Sequence, residues 1–309
     1  MTGPAFALYS SAELAIETRD VRVRFGSRTP LAGLELAVPT GAAYALVGAE
    51  GAGKTTALRT VLGLVRADEG TVHVLGEPMP ECGPGVRARV GYVADRTPPG
   101  LLGLRVRELL SHQSAYFPAW DTAYATRCLE RLGVPADARL RDLSDGRRTL
   151  AQLAAALAHR PALLVWDEPT AALDPVARAQ AFELLIEHVS EAEVTLLLAT
   201  HAVYEAARLV DHVGVLRAGR LRAQLPVDEL RERLRVYRFE APDRWPGAPL
   251  PAGAVVARQE AGREQRWTIW GDPPELQRLL ESAGAAVREI GTVGLDEAVL
   301  ALLSGAEDR

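Results

Sequence analysis

Ala43-Tyr44-Ala45-Leu46-Val47-Gly48-Ala49-Glu50-Gly51-Ala52-Gly53-Lys54-Thr55-Thr56 contains the only lysine in a chain of 309 residues. Lysine and arginine together number 35, so every other basic side chain is an arginine. Asparagine is absent and isoleucine occurs four times, a bias of the kind a GC-rich genome imposes. A lysine kept under that pressure marks a position where arginine cannot serve. A phosphate-binding loop is such a position. Its compact ammonium reaches the β- and γ-phosphates as a point charge, where a guanidinium fork is too bulky. Gly48, Gly53, Lys54 and Thr55 satisfy the spacing G-x-x-x-x-G-K-[ST], with an extra glycine at Gly51.

The flanks agree with this reading. Ala43 to Val47 is a short apolar run that predicts a buried strand, and Ala57, Leu58, Val61, Leu62 and Val65 follow at helical spacing. In a strand, glycine loop and helix, successive backbone N–H groups and a helix N-terminus cradle an anion. The nine residues Gly48, Ala49, Glu50, Gly51, Ala52, Gly53, Lys54, Thr55 and Thr56 are therefore expected to hold a nucleoside triphosphate.

Composition narrows the class. Hydrophobic residues make up 48% and charged residues 24%, as in an ordinary globular protein. A net charge of −5 argues against broad electrostatic binding to nucleic acid. The N-terminus lacks a basic region followed by an apolar core, so no signal peptide is expected, and no run of apolar residues is long enough to span a membrane. Cys82 and Cys128 are too few for a disulfide framework and read as reduced thiols. The expectation is a cytoplasmic protein with one large and one small domain.

Residues 13–26 and 34–38 read as strands, as do 70–76 and 89–95. From about 105 to 159 apolar residues recur three or four apart, and the pattern is helical. Strand-like runs return at 162–166, 194–199 and 213–219, with helices near 175–189 and 202–209. That alternation predicts an α/β fold with a parallel sheet covered on both faces, the helical stretch at about 97–159 forming its own lobe. After residue 226 the pattern becomes helix, strand, a proline-rich loop over 242–251, a hairpin turning at Ala261-Gly262, helix, strand and helix. Residues 226–309 are read as a small α+β appendage.

Leu163-Leu164-Val165-Trp166-Asp167-Glu168 is an apolar strand ending in two acids. A carboxylate there, beside a phosphate loop, is where nucleotide-bound magnesium needs an oxygen partner. Asp167 takes that role through metal-bound water. Glu168 then lies toward the γ-phosphate, where a general base polarises water.

Leu143-Ser144-Asp145-Gly146-Arg147 precedes a long helix, which runs into ALAHRPALLVWDEPTAALDP at 156–175 and then LLLATH at 196–201. Together with the glycine loop, these motifs strongly resemble the ATPase subunits of ABC transporters over about residues 13–225. The resemblance implies a P-loop NTPase fold of ABC type, in which a mainly parallel sheet is joined by an antiparallel β subdomain and a helical lobe. It implies ATP and Mg2+ as ligands, with Thr55 and Asp167 at the metal. It also implies a second ATPase subunit, in a homodimer or heterodimer. The element Ser144-Asp145-Gly146-Arg147 of one chain would face the phosphate loop of the other and contact its γ-phosphate through Ser144 and Gly146. Phe25 matches the aromatic residue that stacks on adenine. Asp174 matches the loop that crosses the dimer interface, and His201 the histidine that contacts the γ-phosphate and orients water.

Two positions depart from the family. Asp95 stands where glutamine is usual; its carboxylate can still ligate magnesium. The signature has Asp145 and Arg147 where LSGGQ is usual, and Arg147 would offset the acid. A narrower resemblance lies in Tyr116-Phe117-Pro118-Ala119-Trp120-Asp121 and the closing helix LDEAVLALL. Both are similar to bacterial exporter ATPases of the acetoin-utilisation and bacitracin-resistance kind. The implied function is an ATPase subunit coupled to a separately encoded transmembrane permease. It would be peripheral on the inner face of the membrane, touch the permease near Arg96–Asp121 and bind no nucleic acid. The alternatives are a soluble non-transport ABC ATPase and a nucleotide-dependent regulator that does not hydrolyse ATP.

Overall fold

The computed structural model describes residues 14–304 apart from 82, 170, 193, 203, 205, 206, 244, 246, 252, 253 and 272. Positions 203, 205 and 206 of the helix expected near 202–209, and Cys82, lie outside the described residues. Strands β1 (Leu14–Phe25), β2 (Arg28–Leu34) and β3 (Ala37–Pro39) come first, and β4 (Ala43–Val47) leads into helix α1 (Lys54–Val61). The strand expected at 34–38 is thus two strands, because β2 ends at Leu34 and β3 begins at Ala37. Then come β5 (Glu69–Val74), β6 (Glu77–Pro78), the short α2 (Pro84–Arg87) and β7 (Val90–Val93). Helices α3 (Val106–Ser114), α4 (Thr122–Arg131) and α5 (Asp145–Leu157) follow before β8 (Leu163–Asp167). Helix α6 (Pro175–Ala192) leads to β9 (Thr195–Thr200), β10 (His212–Arg217) and β11 (Arg220–Pro226).

β11, β10, β4, β9, β8 and β7 form one six-stranded sheet in that order. Every neighbouring pair from β10 to β7 is parallel, and β11 is an antiparallel edge. All five residues of β4 and of β8 are buried, as expected of strands covered on both faces. Register decides where the chemistry can be. Val47 pairs with Thr200 and Ala199 with Asp167, so the carboxyl ends of β4, β9 and β8 lie side by side. In open α/β sheets ligands bind at that edge.

The other N-terminal strands make an antiparallel sheet, β2-β1-β5-β6, with β3 also on β1. Its inner side packs on α1 and one face of the main sheet through Ile16, Val23, Leu31, Leu46, Leu58 and Val61. The opposite face packs on α5 and α6. Helix α5 is buried at nine consecutive positions, Thr149 to Leu157, so it has no polar face. Alanines at 151, 154, 155 and 156 let it sit close to its neighbours. Helix α4 is tied to α6 by the Tyr124 hydroxyl, 2.9 Å from His188 Nδ1, and Arg160 lies 3.6 Å over the Tyr124 ring. Burial pushes both His159 and His188 down to about 4, so both are neutral at physiological pH.

Past β11 come helix α7 (Val227–Arg233), β12 (Leu234–Glu240), β13 (Val255–Ala261) and β14 (Glu264–Trp270). Helix α8 (Pro273–Ser282), β15 (Ala286–Thr292) and helix α9 (Leu295–Ser304) complete the described chain. The hairpin turns over Gly262–Arg263, one residue later than expected from the sequence. These strands form a second antiparallel sheet in the order β13-β14-β12-β15. Tyr237, Phe239, Trp267 and Ile269 form a core of their own on one side of it. Val299 and Leu302 of α9 join the core that reaches Val213 and Val215 of the main sheet.

Candidate nucleotide site

The loop after β4 has a backbone that only glycine tolerates at one point. Gly53 has φ +108°, and a Cβ there would lie 2.3 Å from the Pro30 carbonyl oxygen. It caps α1 without any side-chain hydrogen bond, which leaves the N–H groups of the first turn for an anion. Lys54 is buried and donates to the carbonyls of Gly48 at 2.8 Å and Ala49 at 3.2 Å. Its Nζ also lies 3.2 Å from Glu168 Oε1.

The acid pair divides at the strand end. Asp167 is the last residue of β8, only 1% exposed, and its Oδ1 accepts from the Thr55 hydroxyl at 3.2 Å. Burial pushes its pKa up to about 6. The Thr55 hydrogen bond opposes the rise, while the nearby charges of Asp95 and Glu168 add to it. Keeping this carboxylate ionised at neutral pH costs on the order of 3 kcal/mol, which a bound cation would offset. Glu168 has φ +50°, a left-handed conformation uncommon for a side chain of its kind. Its N–H donates to the Ala199 carbonyl at 2.8 Å, and its Oε2 lies 2.8 Å from His201 Nδ1. The turn thus sends Asp167 toward Thr55 and Glu168 toward Lys54 and His201.

These groups open on a cleft of about 800 Å³, lined by Phe25, Glu50, Gly51, Gly53, Lys54, Thr55, Thr56, Asp95, Glu168 and His201. Phe25, 55% exposed, stands at its rim. Arg28, Thr29, Pro30, Arg96 and Ala171 also line it. The sequence reading assigns none of these five to the nucleotide, and places Arg96 at the permease contact instead. Arg28 lies three positions beyond Phe25, in the stretch between 26 and 34 to which the sequence assigns no element, and it is the first residue of β2. Among the described residues, no three His, Cys, Asp or Glu side chains are grouped to hold a metal unaided. Magnesium typically keeps several waters and uses one or two carboxylates plus substrate phosphates, so the donor set of Thr55, Asp167 and Asp95 suits it.

Ser144, Asp145, Gly146, Arg147 and Asp174 do not line this cleft. Ser144 caps α5, its Oγ accepting from Arg147 N–H at 3.2 Å, which leaves the hydroxyl hydrogen free to donate elsewhere. Asp145 is paired with Arg148, not with Arg147 as expected, because one helical turn brings position 148 back over 145. Arg147 is exposed. Gly146 lies against the loop after Glu168, where a Cβ would meet the Ala172 carbonyl oxygen at 2.5 Å. Asp174 Oδ1 accepts from Val176 N–H and Ala177 N–H, both at 2.9 Å, and caps α6.

A phosphate loop, a strand-end acid pair and a histidine on three adjacent parallel strands define a P-loop nucleoside-triphosphatase. Residues 31–171 match the family model described as ABC transporter. Residues 136–207 also match one described as AAA domain, putative AbiEii toxin, Type IV TA system. Nod factor export ATP-binding protein I of Cupriavidus metallidurans is 38% identical over 219 residues, covering 70% of this chain and 72% of the relative. Bacitracin transport ATP-binding protein BcrA of Bacillus licheniformis is 30% identical over 224 residues, covering 72% and 73%. A solved ATP binding subunit of an ABC transporter superposes with a TM-score of 0.63 at 24% identity, over 70% of this chain and 92% of that one. The chain belongs to the ATP-binding subunits of ABC transporters, and it is an ATPase.

Proposed function

We propose that this chain hydrolyses ATP within a closed pair of ATPase subunits and thereby drives a separate membrane permease, in the direction of export. The observation that carries the reading is the division of the chemistry. Lys54, Thr55, Glu168 and His201 share one cleft, with Asp167 buried behind Thr55, while the signature at Ser144–Arg147 lies outside it. The signature helix of the same chain is therefore not at its own phosphate loop, and a second subunit would supply one. Export is supported by the Nod factor export relative, and transport by the bacitracin transport relative.

In this reading Phe25 carries the adenine, the loop Gly48–Thr56 the phosphates, and Glu168 polarises water with His201 holding the carboxylate. Thr55, Asp167 and Asp95 would hold magnesium, which neutralises phosphate charge when bound. Residues 13–225 form the ATPase unit and 226–309 a small α+β appendage, supported by the second sheet with its own aromatic core, although Val299 and Leu302 also pack into the main core. No described helix is long and apolar enough to cross a membrane. In this reading the chain lies at the inner face of the membrane, held by the permease at Arg96–Asp121.

Recruitment tests the coupling. Expressed with its permease, the chain should sediment with membranes, and expressed without it the chain should not. A chain that sediments equally in both cases, or in neither, removes the permease from the proposal.

Asp95 gives a second test. Replacing it with alanine should raise the magnesium concentration for half-maximal ATPase activity about tenfold, the low end for a group beside a metal. Asp95→Gln should raise it less. An unchanged magnesium requirement in both variants would take Asp95 out of the metal site.

A further inference from the structure

Arg28 stands in the nucleotide cleft with no other task. The hairpin joining β1 to β2 turns over Gly26 and Ser27, and Phe25 and Arg28 are paired directly across it. Paired residues project on the same face, with Cβ atoms about 5 Å apart. The guanidinium therefore shares a face with the Phe25 ring, and both line the cleft.

Neighbouring arginines on β1 are committed elsewhere. Arg19 is bound to Glu17, Arg22 to Asp20 and Glu69, and Arg24 to Glu69. On the far wall, Arg96 lies 3.7 Å from Asp95. The Arg28 guanidinium makes no ion pair or hydrogen bond with any of the described residues. An exposed cation left unpaired beside an aromatic platform, in a cleft built for a polyanion, is placed for a ligand.

Its position along β2 says which part of the ligand. Two residues further on, the Pro30 carbonyl abuts Gly53 of the phosphate loop. At about 3.4 Å per residue, Arg28 lies roughly 7 Å from that contact, between the loop and Phe25. In a nucleotide bound with its base on Phe25 and its β-phosphate in the loop, that interval holds the ribose and the α-phosphate.

We infer that Arg28 is a nucleotide-binding residue that engages the α-phosphate, on the opposite side of the ligand from Lys54. The inference rests on the nucleotide-site reading above and adds a second cation to it. A guanidinium can donate two parallel N–H bonds to phosphate oxygens, a geometry lysine lacks. The contact is common to every nucleoside di- and triphosphate, so it contributes affinity without reading the base.

Equilibrium titration of the intact chain with ATP, GTP, CTP and ADP tests it. Arg28→Gln should weaken all four by a similar factor of about ten, the lower range for hydrogen bonds to charged groups. Arg28→Lys should recover part of the loss, since charge returns without the fork. An unchanged affinity for ATP and ADP would overturn the inference. So would a loss confined to one base, which would make Arg28 a base reader. Lys54→Ala serves as the reference: if it too leaves ATP affinity unchanged, the nucleotide-site reading itself has failed. If Lys54→Ala weakens ATP and Arg28→Gln does not, only the role of Arg28 has failed.

Discussion

Lys54→Ala should abolish ATP binding, by a factor of 100 or more at the ~3 kcal/mol upper range for hydrogen bonds to charged groups. Glu168→Gln should keep binding and stop turnover, a loss of roughly 10²–10⁴ for removing a general base. The two side chains touch, Lys54 Nζ being 3.2 Å from Glu168 Oε1, yet their replacements should act in opposite senses on affinity. Lys54 neutralises phosphate in ground and transition states alike, whereas Glu168 acts on the water. Without nucleotide, Glu168 occupies the ammonium that the γ-phosphate needs. Removing its charge frees Lys54, so Glu168→Gln should bind ATP more tightly than the parent chain. ADP has no γ-phosphate to compete, and its affinity should change less. Titration of both nucleotides, with phosphate release measured alongside, checks each part. Glu168→Gln should also accumulate an ATP-dependent dimer on size exclusion. Equal loss of ATP binding in both variants would show that the roles are misassigned.

The sequence carried the central strand, the loop and the acid pair because each has a pattern tied to its physics. β4 and β8 are uninterrupted apolar runs, and the loop has glycines where the backbone demands them. β11 was hidden by its turn. Ala218 and Gly219 both have positive φ, the mark of a tight hairpin, but alanine at the first position is not the residue that announces one. Read without that signal, 213–219 looked like the end of the sheet. The strand at 34–38 failed for the converse reason, since an apolar alternation runs across a real break between Leu34 and Ala37. In the site, the strand-end position of Glu168 was legible but its left-handed backbone was not. That conformation is accompanied by the N–H bond to Ala199 and the contacts to Lys54 and His201, all distant in sequence. The partner of Asp145 differs from expectation because 147 is nearer in sequence, while 148 lies on the same face of the helix as 145. Arg28 escaped notice because its importance depends on what faces it across a hairpin, and on which neighbouring arginines are already paired.

Hydrolysis should require two chains, with the signature acting in trans despite its altered sequence. Ser144 caps α5 and keeps a hydroxyl hydrogen to donate, yet neither it nor Gly146 reaches the cleft that holds Lys54 of the same chain. If the chain pairs with itself, activity should rise with the square of protein concentration while dimers are scarce. A Ser144→Arg chain loses its signature and keeps its phosphate loop; a Lys54→Ala chain does the reverse. Neither alone can build a complete site. Mixed, they should restore one composite site per heterodimer, from the phosphate loop of the first and the signature of the second. Each mutant has to be shown folded by thermal melting, because Ser144 also caps a helix and its loss costs about 1 kcal/mol. Substitution at Gly146 would be a poorer test, since a Cβ there strikes the Ala172 carbonyl within the same chain. Recovery of activity on mixing places the signature in trans. Failure to recover any, with both proteins folded and associated, would refute the shared site for a homodimer. Recovery only after adding a different ATPase subunit would make the assembly an obligate heterodimer.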